Sequence, residues 1–200
     1  MGRGHCRVKE RTNLKCYKTP VRLFLAVDIP EYQRAELARL CHGVENARWT
    51  PPAQFHCTLR FLGEVKDSRL PELKAALALL RRPAFTCRVS GVGCFPPLPE
   101  AGRGARVLWA ALQPRGELAA LKQSLDRALE AFGPDEEREF TPHITLARLK
   151  NAAPQAVAGW LQRHATLSLP EFSLRDIALY ASELKPEGAL HQVLGRFGAS

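Results

Sequence analysis

The sequence has no long hydrophobic run, although 46% of its 200 residues are hydrophobic. Charged residues interrupt each apolar stretch well before the roughly 20 residues that a membrane-spanning helix requires. The composition is that of a globular protein and excludes an intrinsically disordered chain. A chain of this length can form one substantial core or two small lobes. We therefore expect a globular protein with no membrane partner.

The six cysteines include no Cys-x-x-Cys pair, the spacing that is typical of structural zinc sites. Residues 1–20 contain no apolar segment of the kind found in secretory signals. We therefore expect a cytoplasmic protein whose thiols are free. Cys57 lies between His56 and Thr58, and on a strand its side chain would point away from both. We interpret Cys57 as a core residue.

Acidic residues are relatively few, with 20 Asp and Glu against 29 Lys and Arg and a net charge of +9. Residues 1–20 carry six Lys or Arg and one Glu, so they contribute +5 of that charge. The mildly basic remainder suits a polyanionic partner without requiring one. We expect residues 1–20 to be a disordered basic extension or the result of an upstream start codon, with organelle targeting left open. Residues 21–197 are expected to form one domain.

Hydrophobic periodicity alternates along the chain between the two-residue repeat of strands and the 3.6-residue repeat of helices. Four leucines between positions 118 and 129 give the clearest helical pattern, which Gly133 ends. The two halves 21–112 and 113–197 have similar content and could form two αβ lobes. The predicted strands are 21–30, 54–65, 84–95, 105–112, 139–150, 171–184 and 189–197, and the predicted helices are 31–44, 69–82, 116–133 and 154–164.

Two of these strands contain the same pattern, His-x-Thr, in the stretches HCTLRF and HITLAR. Alternate residues of a strand share one face and lie about 7 Å apart. His56 and Thr58 therefore point the same way, and so do His143 and Thr145. The opposite face of each strand is apolar and belongs in the core. If both strands line one groove, the groove contains two imidazoles and two hydroxyls.

Paired histidines suit proton transfer at a phosphate, because their pKa values lie near neutral pH without strong tuning. A neutral imidazole can take a proton from water, and an imidazolium can give one to the leaving oxygen. Threonine hydroxyls donate hydrogen bonds to phosphate oxygens without adding charge. Around both strands the sequence lacks the group of Asp and Glu that a two-metal phosphodiesterase needs. We therefore predict neither a metal nor another cofactor.

The two motifs, with RLFLAVDIP, VLWAAL and LYASELKPEGALHQVLGRF, resemble the RNA 2′,3′-cyclic phosphodiesterase family, also called 2′-5′ RNA ligases. This family belongs to the two-histidine phosphoesterase superfamily, and the resemblance covers residues 21–197. It implies an α+β fold of two pseudo-symmetric lobes, with antiparallel sheets lining a central groove and helices packed outside. It also implies hydrolysis of RNA 2′,3′-cyclic phosphate ends to 2′-phosphate ends, with reversible 2′-5′ RNA ligation.

By this resemblance His56 and His143 are the catalytic pair, and Thr58 and Thr145 bind the phosphate. We assign His56 as general acid at the 3′ oxygen and His143 as general base on water. The two motifs are symmetric and do not themselves distinguish these roles.

Two arginines are further candidates for binding substrate. Arg148 matches an arginine that follows the second motif in the family, but it lies five residues after His143. Strict alternation would put Arg148 on the opposite face unless a bulge or the strand end intervenes. Arg60 shares the face of His56 and Thr58 under strict alternation, which predicts contact with phosphate or RNA backbone. A cation at the surface or at the groove rim is the alternative for both.

Other residues give weaker patterns. Aromatic rings near the motif strands can stack on RNA bases, but core packing is the expected role of Trp49, Phe55, Phe140 and Tyr180. No site role is expected for the other histidines: His5 lies in the basic extension, His42 lies near a predicted helix C-terminus, and His164 and His191 lack a patterned partner.

Three alternative functions stay open. The same site could act on a small cyclic nucleotide or a 2′-5′ oligonucleotide. The protein could bind RNA without catalysis, or it could be a hydrolase in which His56 and His143 are metal ligands. The lack of a heptad repeat and of an obvious exposed apolar strip favours a monomer.

Overall fold

The computed structural model describes residues 21–81, 84–98, 104–133, 139–185 and 188–198. The expectation for residues 1–20 lies outside the described residues. The described chain forms nine strands and four α-helices, which are β1 (Val21–Asp28), α1 (Glu31–Ala38), β2 (Ala47–Trp49), β3 (His56–Val65), α2 (Leu70–Leu79), β4 (Phe85–Phe95), β5 (Val107–Gln113), α3 (Arg115–Ala128), β6 (His143–Leu149), α4 (Pro154–Arg163), β7 (Phe172–Leu174), β8 (Asp176–Lys185) and β9 (Gly188–Gly198).

The predicted order of strands and helices is confirmed, but several bounds differ, and α3 ends at Ala128 and not at Gly133. The three-residue strand β2 was missed, because so short a segment shows no periodicity. The predicted strand 171–184 is divided into β7 and β8. Helix α1 ends at Ala38 and not at 44. After Ala38 the backbone continues with tighter hydrogen bonds, from Leu40 N–H to the Leu37 carbonyl and from Cys41 N–H to the Ala38 carbonyl, and the Leu40 carbonyl accepts a hydrogen bond from the Trp160 indole (2.9 Å).

All strand pairs are antiparallel, in the order β7-β4-β5-β6-β3-β1-β8-β9, and β2 pairs with β6. The sheet curls into a half-barrel of two lobes that meet where Cys57 of β3 pairs with Ile144 of β6. The predicted α+β fold with two lobes around a groove is confirmed.

The lobes do not correspond to the two halves of the sequence. One lobe contains β3, β1, β8 and β9, and the other contains β6, β5, β4 and β7. Each lobe therefore takes strands from both sides of residue 112. The suggested division into 21–112 and 113–197 is wrong, because long-range strand pairing and not chain order assigns each strand to its lobe.

Leucines of the helices cover one face of the sheet and complete a continuous core. Leu118 and Leu125 of α3 are fully buried, as are Leu73 of α2 and Trp160 of α4. The other sheet face carries the polar side chains of the two motifs. No helix among the described residues is long and apolar enough to cross a membrane.

Both motif strands contain a bulge directly after the His-x-Thr pattern. In β3 the register with β1 shifts at Leu59, and both Leu59 and Arg60 are buried. In β6 the register with β5 shifts at Leu146, and both Leu146 and Ala147 are buried. A bulge places two consecutive residues on one side of a strand. The next residue in each strand therefore returns to the face of the histidine.

The prediction that Arg60 shares the face of His56 is wrong, because the β3 bulge turns Arg60 to the helix-covered face. Only 4% of Arg60 is exposed. Its guanidinium pairs with Asp126 of α3 at 2.7 Å and donates to the carbonyls of Leu129 and Gly133 at 3.2 and 3.0 Å. Arg60 therefore joins β3 to the end of α3. In β6 the bulge has the opposite consequence, since exposed Arg148 lies on the histidine face.

Removing the acidic partner of Arg60 should destabilise the protein strongly. We expect Asp126→Ala to lower the free energy of unfolding by about 3 kcal/mol, because it leaves a buried guanidinium without a counter-charge. Lys122→Ala removes the second cation beside Asp126 and should cost less, because Arg60 still pairs with the carboxylate. Urea unfolding of both variants measures the difference. Equal losses in the two variants would contradict this role for Arg60.

Candidate active site

Two histidines begin neighbouring strands and are oriented in the same way. His56 Nδ1–H donates a hydrogen bond to the Gln54 carbonyl (2.7 Å), and His143 Nδ1–H donates one to the Thr141 carbonyl (2.8 Å). A carbonyl oxygen only accepts, so each contact requires the proton on Nδ1. In the neutral ring Nε2 is therefore an unprotonated base, and in the charged ring it is an acid.

The paired strands bring the four polar side chains of the motifs to one face. Cys57 and Ile144 pair across the strands and are fully buried. Extending this antiparallel register by one residue in each direction places each histidine opposite the threonine of the other motif. Thr58 and Thr145 are half-buried, and neither hydroxyl has a hydrogen-bond partner within the described part of the chain. Both hydroxyls can therefore donate to a ligand between the histidines.

Burial makes both imidazoles harder to protonate. Desolvation, together with neighbouring His191 and His143, lowers the pKa of His56 from its ordinary 6.5 to about 4, although the Gln54 carbonyl and Asp28 act in the opposite direction. Desolvation also lowers the pKa of His143, and the hydrogen bond to a backbone carbonyl opposes it. Both rings are consequently neutral at pH 7 in the free protein.

A family model described as the 2′-5′ RNA ligase superfamily matches residues 54–186, which include both motifs. The chain belongs to the 2′-5′ RNA ligase superfamily. Two similar curated proteins are each named RNA 2′,3′-cyclic phosphodiesterase. The Thermus thermophilus protein is 35% identical over 88% of this chain and 89% of its own length. The Archaeoglobus fulgidus protein is 31% identical over 88% of this chain and 99% of its own length. The predicted membership of this enzyme family is confirmed.

Solved structures resemble this superfamily member over nearly its whole described length. A crystal structure of a Thermus thermophilus protein has a TM-score of 0.72 and 33% identity, and the match covers 88% of this chain and 97% of that one. Escherichia coli LigT in its apo form has a TM-score of 0.71 and 26% identity, with 90% and 98% covered. These likenesses agree with the two-lobed antiparallel fold.

A third histidine, His191 on β9, lies beside the site and outside the residues that match the superfamily model. Its ring is perpendicular to that of His56, with 5.4 Å between centroids. Its Nδ1 is buried and lacks a hydrogen-bond partner among the described residues. Sequence reasoning assigned no role to His191, because β9 reaches β3 only through β8 and β1 and no local pattern reveals that proximity.

Aromatic rings form the surroundings of His56. Phe24 lies 5.0 Å from His56 between ring centroids and stacks on Tyr180 at 5.0 Å with 8° between the planes. Tyr180 also donates a short hydrogen bond to Asp28. A cavity of about 180 Å³ next to His56 is lined in part by Gln54, Tyr180, Leu190 and His191. Rings therefore surround the His56 imidazole, and the nearby Asp28 carboxylate is paired with Arg196.

The four aromatic residues considered from sequence lie in different places. Tyr180 and Phe55 line the cavity next to His56, although the Phe55 side chain is buried. Trp49 packs on Trp160, with ring centroids 6.2 Å apart. Phe140 packs against the core. The expectation of core packing is thus met by Phe55, Trp49 and Phe140, whereas Tyr180 reaches the candidate site.

The surroundings of His143 differ from those of His56. Phe95 and Trp109 lie 5.1 and 6.2 Å from the His143 ring. The Trp109 indole lies against Gly93, where an added Cβ would be 2.2 Å from the ring, so the packing requires glycine. Arg148 pairs across the strands with Val107, which in turn pairs with Phe95. A guanidinium is therefore present on the groove face of this lobe.

Within the described ranges, no group of three or more His, Cys, Asp or Glu is placed to bind a metal ion. Cys41, Cys57, Cys87 and Cys94 are free thiols, as predicted, and Cys57 is fully buried in the core. Desolvation raises the pKa of Cys57 to about 12, which keeps its thiol protonated. This thiol therefore has no nucleophilic character at the site.

The buried neutral His56 should make stability depend on pH. The pKa of His56 is lower in the folded protein than in the unfolded chain. The neutral ring therefore contributes fully to the free energy of unfolding above about pH 6.5, and this contribution is lost as pH falls towards 4. We expect the free energy of unfolding to decrease by about 2–3 kcal/mol over that interval. His56→Gln should reduce this dependence, and Thr58→Val should preserve it. Urea titrations at several pH values measure both, and the same dependence in His56→Gln would contradict the assignment.

Proposed function

We propose that this protein hydrolyses the 2′,3′-cyclic phosphate at an RNA 3′ end to a 2′-phosphate, by acid–base catalysis without a metal ion. The two matching hydrogen bonds from Nδ1 to backbone carbonyls carry the proposal. They leave the Nε2 of His56 and of His143 free for proton transfer on the same face. The names of the similar curated proteins support cyclic phosphodiesterase activity.

In the proposed reaction, His143 Nε2 takes a proton from water as the water oxygen bonds to phosphorus. The bond from phosphorus to the 3′ oxygen breaks, and His56 Nε2 gives its proton to that oxygen. The product carries a 2′-phosphate and a 3′-hydroxyl. His143 is then charged and His56 neutral, and proton exchange with solvent restores the starting state.

One imidazolium is needed to begin this cycle, whereas burial keeps both rings neutral in the free protein. A phosphodiester anion beside the rings favours a charged imidazolium and raises its pKa. We therefore expect His56 to take up its proton together with the substrate. Neutral His143 is already suited to act as the base.

Three donors on the histidine face are available to bind the proposed phosphate. The hydroxyls of Thr58 and Thr145 can each donate to a non-bridging oxygen without adding charge. Exposed Arg148 on the same face can pair with the phosphate through its planar guanidinium. These donors would stabilise the additional negative charge that develops on phosphorus-bound oxygens during the reaction.

Ligation and smaller substrates use the same atoms. A 5′-hydroxyl in place of water would form a 2′-5′ phosphodiester, which agrees with the description of the superfamily. A small cyclic nucleotide would present the same cyclic phosphate without further nucleotides and is the alternative substrate.

Loss of either histidine should abolish most turnover. We expect His56→Ala and His143→Ala each to lower kcat by about 10²–10⁴-fold, and the double variant to lose little more, because the two groups act in one step. The assay is hydrolysis of an RNA oligomer ending in 2′,3′-cyclic phosphate, in EDTA, with the phosphate position mapped in the product.

The exposed histidine variant His42→Gln is the matched control and should keep wild-type turnover. Full activity in either alanine variant would contradict the acid–base pair. Loss of activity in EDTA would favour a metal hydrolase with His56 and His143 as ligands. A 3′-phosphate product would reverse the assignment of the leaving oxygen.

Arg148 should contribute to catalysis without contributing to stability. We expect Arg148→Ala to lower kcat/KM by about 10- to 100-fold, the value of a lost charge-assisted hydrogen bond, with an unchanged melting temperature. Arg60→Met should show the opposite pattern, with a lower melting temperature and less effect on kcat/KM in the folded fraction. Similar losses of kcat/KM in both folded variants would contradict the separation of these two arginines.

A further inference from the structure

A small cavity lies beside the His56 imidazole, between the start of β3 and the hairpin of β8 and β9. Its volume is about 180 Å³, and the side chains that line it include Tyr180, Leu190 and His191. At about 30 Å³ per molecule this space would hold about six waters, which suits one planar ring system and is too little for several nucleotides. The cavity therefore fits a single small group of a substrate.

The wall of this cavity is attached to the same segment that orients His56. Gln54 Nε2 donates a hydrogen bond to the Ala189 carbonyl of β9 (3.1 Å). The Gln54 carbonyl accepts the hydrogen bond from His56 Nδ1 (2.7 Å). Leu190 and His191 directly follow Ala189 in the chain. Because Gln54 holds both the hairpin and the imidazole, the cavity has a defined position relative to His56.

Rings and an apolar side chain form much of the cavity wall. The Tyr180 ring stacks on buried Phe24 with 5.0 Å between centroids, and its hydroxyl donates to Asp28, so its ring and not its hydroxyl is available to a ligand. The His191 ring packs edge-on against Phe24, also at 5.0 Å. Leu190 is 50% exposed. Nucleobases are planar, and their faces bind to aromatic and apolar side chains, so these walls suit a base.

His191 also brings a polar atom that lacks a partner. Its Nδ1 is buried and accepts or donates no hydrogen bond among the described residues. A buried polar atom in this state costs free energy, and a ligand that supplies the partner recovers it. An imidazole nitrogen donates or accepts according to its tautomer, and the edges of nucleobases offer both kinds of group. A base against the His191 ring can therefore supply the missing partner.

The proposed reaction puts the terminal nucleoside on this side of the phosphate. Water attacks phosphorus in line with the leaving 3′ oxygen, so the water lies towards His143 and the 3′ oxygen lies towards His56. The ribose that bears this oxygen carries its base on C1′, beside C2′. The base is therefore within reach of the cavity next to His56.

We propose that this cavity binds the base of the nucleotide that carries the cyclic phosphate, and that His191 determines which base is preferred. This inference rests on the proposed function and names the part of the substrate that the site distinguishes. The faces of the base lie against the Tyr180 ring and Leu190, and its edge shares a hydrogen bond with the His191 imidazole. His191 contacts the base and not the reacting phosphate, so it contributes to specificity and not to proton transfer.

The test compares substrates that differ only in the base. They are the four 2′,3′-cyclic mononucleotides and methyl ribofuranoside 2′,3′-cyclic phosphate, which has no base. We expect the wild-type kcat/KM for the preferred nucleotide to exceed that for the methyl riboside by about 5- to 100-fold, the value of stacking one base. His191→Phe keeps a ring against Phe24 and removes both ring nitrogens. It should lower this ratio by about three- to tenfold, the value of one hydrogen bond, and reduce the differences between the four bases.

His164→Phe is the matched control, because it also replaces a half-buried histidine that packs on a ring. His164 lies 4.9 Å from Trp160 between centroids, at the end of α4, and its Nε2 likewise has no partner within the described ranges. The ratio of nucleotide to methyl riboside should stay at the wild-type value in this variant. An unchanged ratio in His191→Phe, including an equal loss for all substrates, would overturn the proposal. The same fall of the ratio in His164→Phe would also overturn it.

Equilibrium binding separates failure of the base site from failure of the proposed reaction. The probes are the four nucleoside 2′-phosphates and methyl ribofuranoside 2′-phosphate, which bind without turnover and are titrated calorimetrically. If no cyclic substrate is hydrolysed, the proposed function fails, and tighter binding of a nucleoside 2′-phosphate that His191→Phe weakens still supports the base site. Equal affinity of the wild-type protein for all five probes refutes the base site whatever the activity.

Discussion

The pairing of β3 with β6 determines where every candidate catalytic group lies. The two strands meet at Cys57 and Ile144, and both of these side chains are fully buried. A slip of one residue in either strand would turn its histidine and threonine into the core and bring apolar residues to the groove. Burial of the apolar face thus holds the register, and the register holds the histidines opposite the threonines. The backbone carbonyls of Gln54 and Thr141 then orient the rings.

The two bulges convert a nearly symmetric pair of strands into an asymmetric site. Each bulge buries the residue after His-x-Thr-Leu, which is Arg60 in β3 and Ala147 in β6. The buried Arg60 guanidinium pairs with Asp126 and donates hydrogen bonds to two backbone carbonyls. In this lobe the arginine therefore stabilises the fold and does not face the groove. The following residue reaches the groove, and it is Phe61 in one lobe and Arg148 in the other. At this position one lobe consequently presents a phenylalanine ring and the other presents a guanidinium.

This asymmetry gives the two histidines different surroundings although their motifs match. His56 lies among Phe24, Tyr180 and His191, and desolvation lowers its pKa to about 4. His143 lies beside Phe95 on the lobe that carries Arg148. An anion between the rings would favour protonation of the histidine that is otherwise hardest to charge. In the mechanism proposed for this site, substrate binding and formation of the acid are therefore one event.

Short-range sequence patterns were sufficient to predict most strands and helices, the family resemblance and the shared face of each His-x-Thr pair. These features depend on residues only a few positions apart, where the periodicity of the backbone fixes side-chain direction. The end of α1 at Ala38 was not predicted, and the Leu40 carbonyl just beyond it accepts a hydrogen bond from Trp160, which is distant in sequence. The directions of Arg60 and Arg148, the strands that form each lobe and the position of His191 beside His56 were decided only by the tertiary structure. Bulges and strand neighbours arise from pairing between segments far apart in the chain, and a local repeat contains no information about which distant strand lies alongside it.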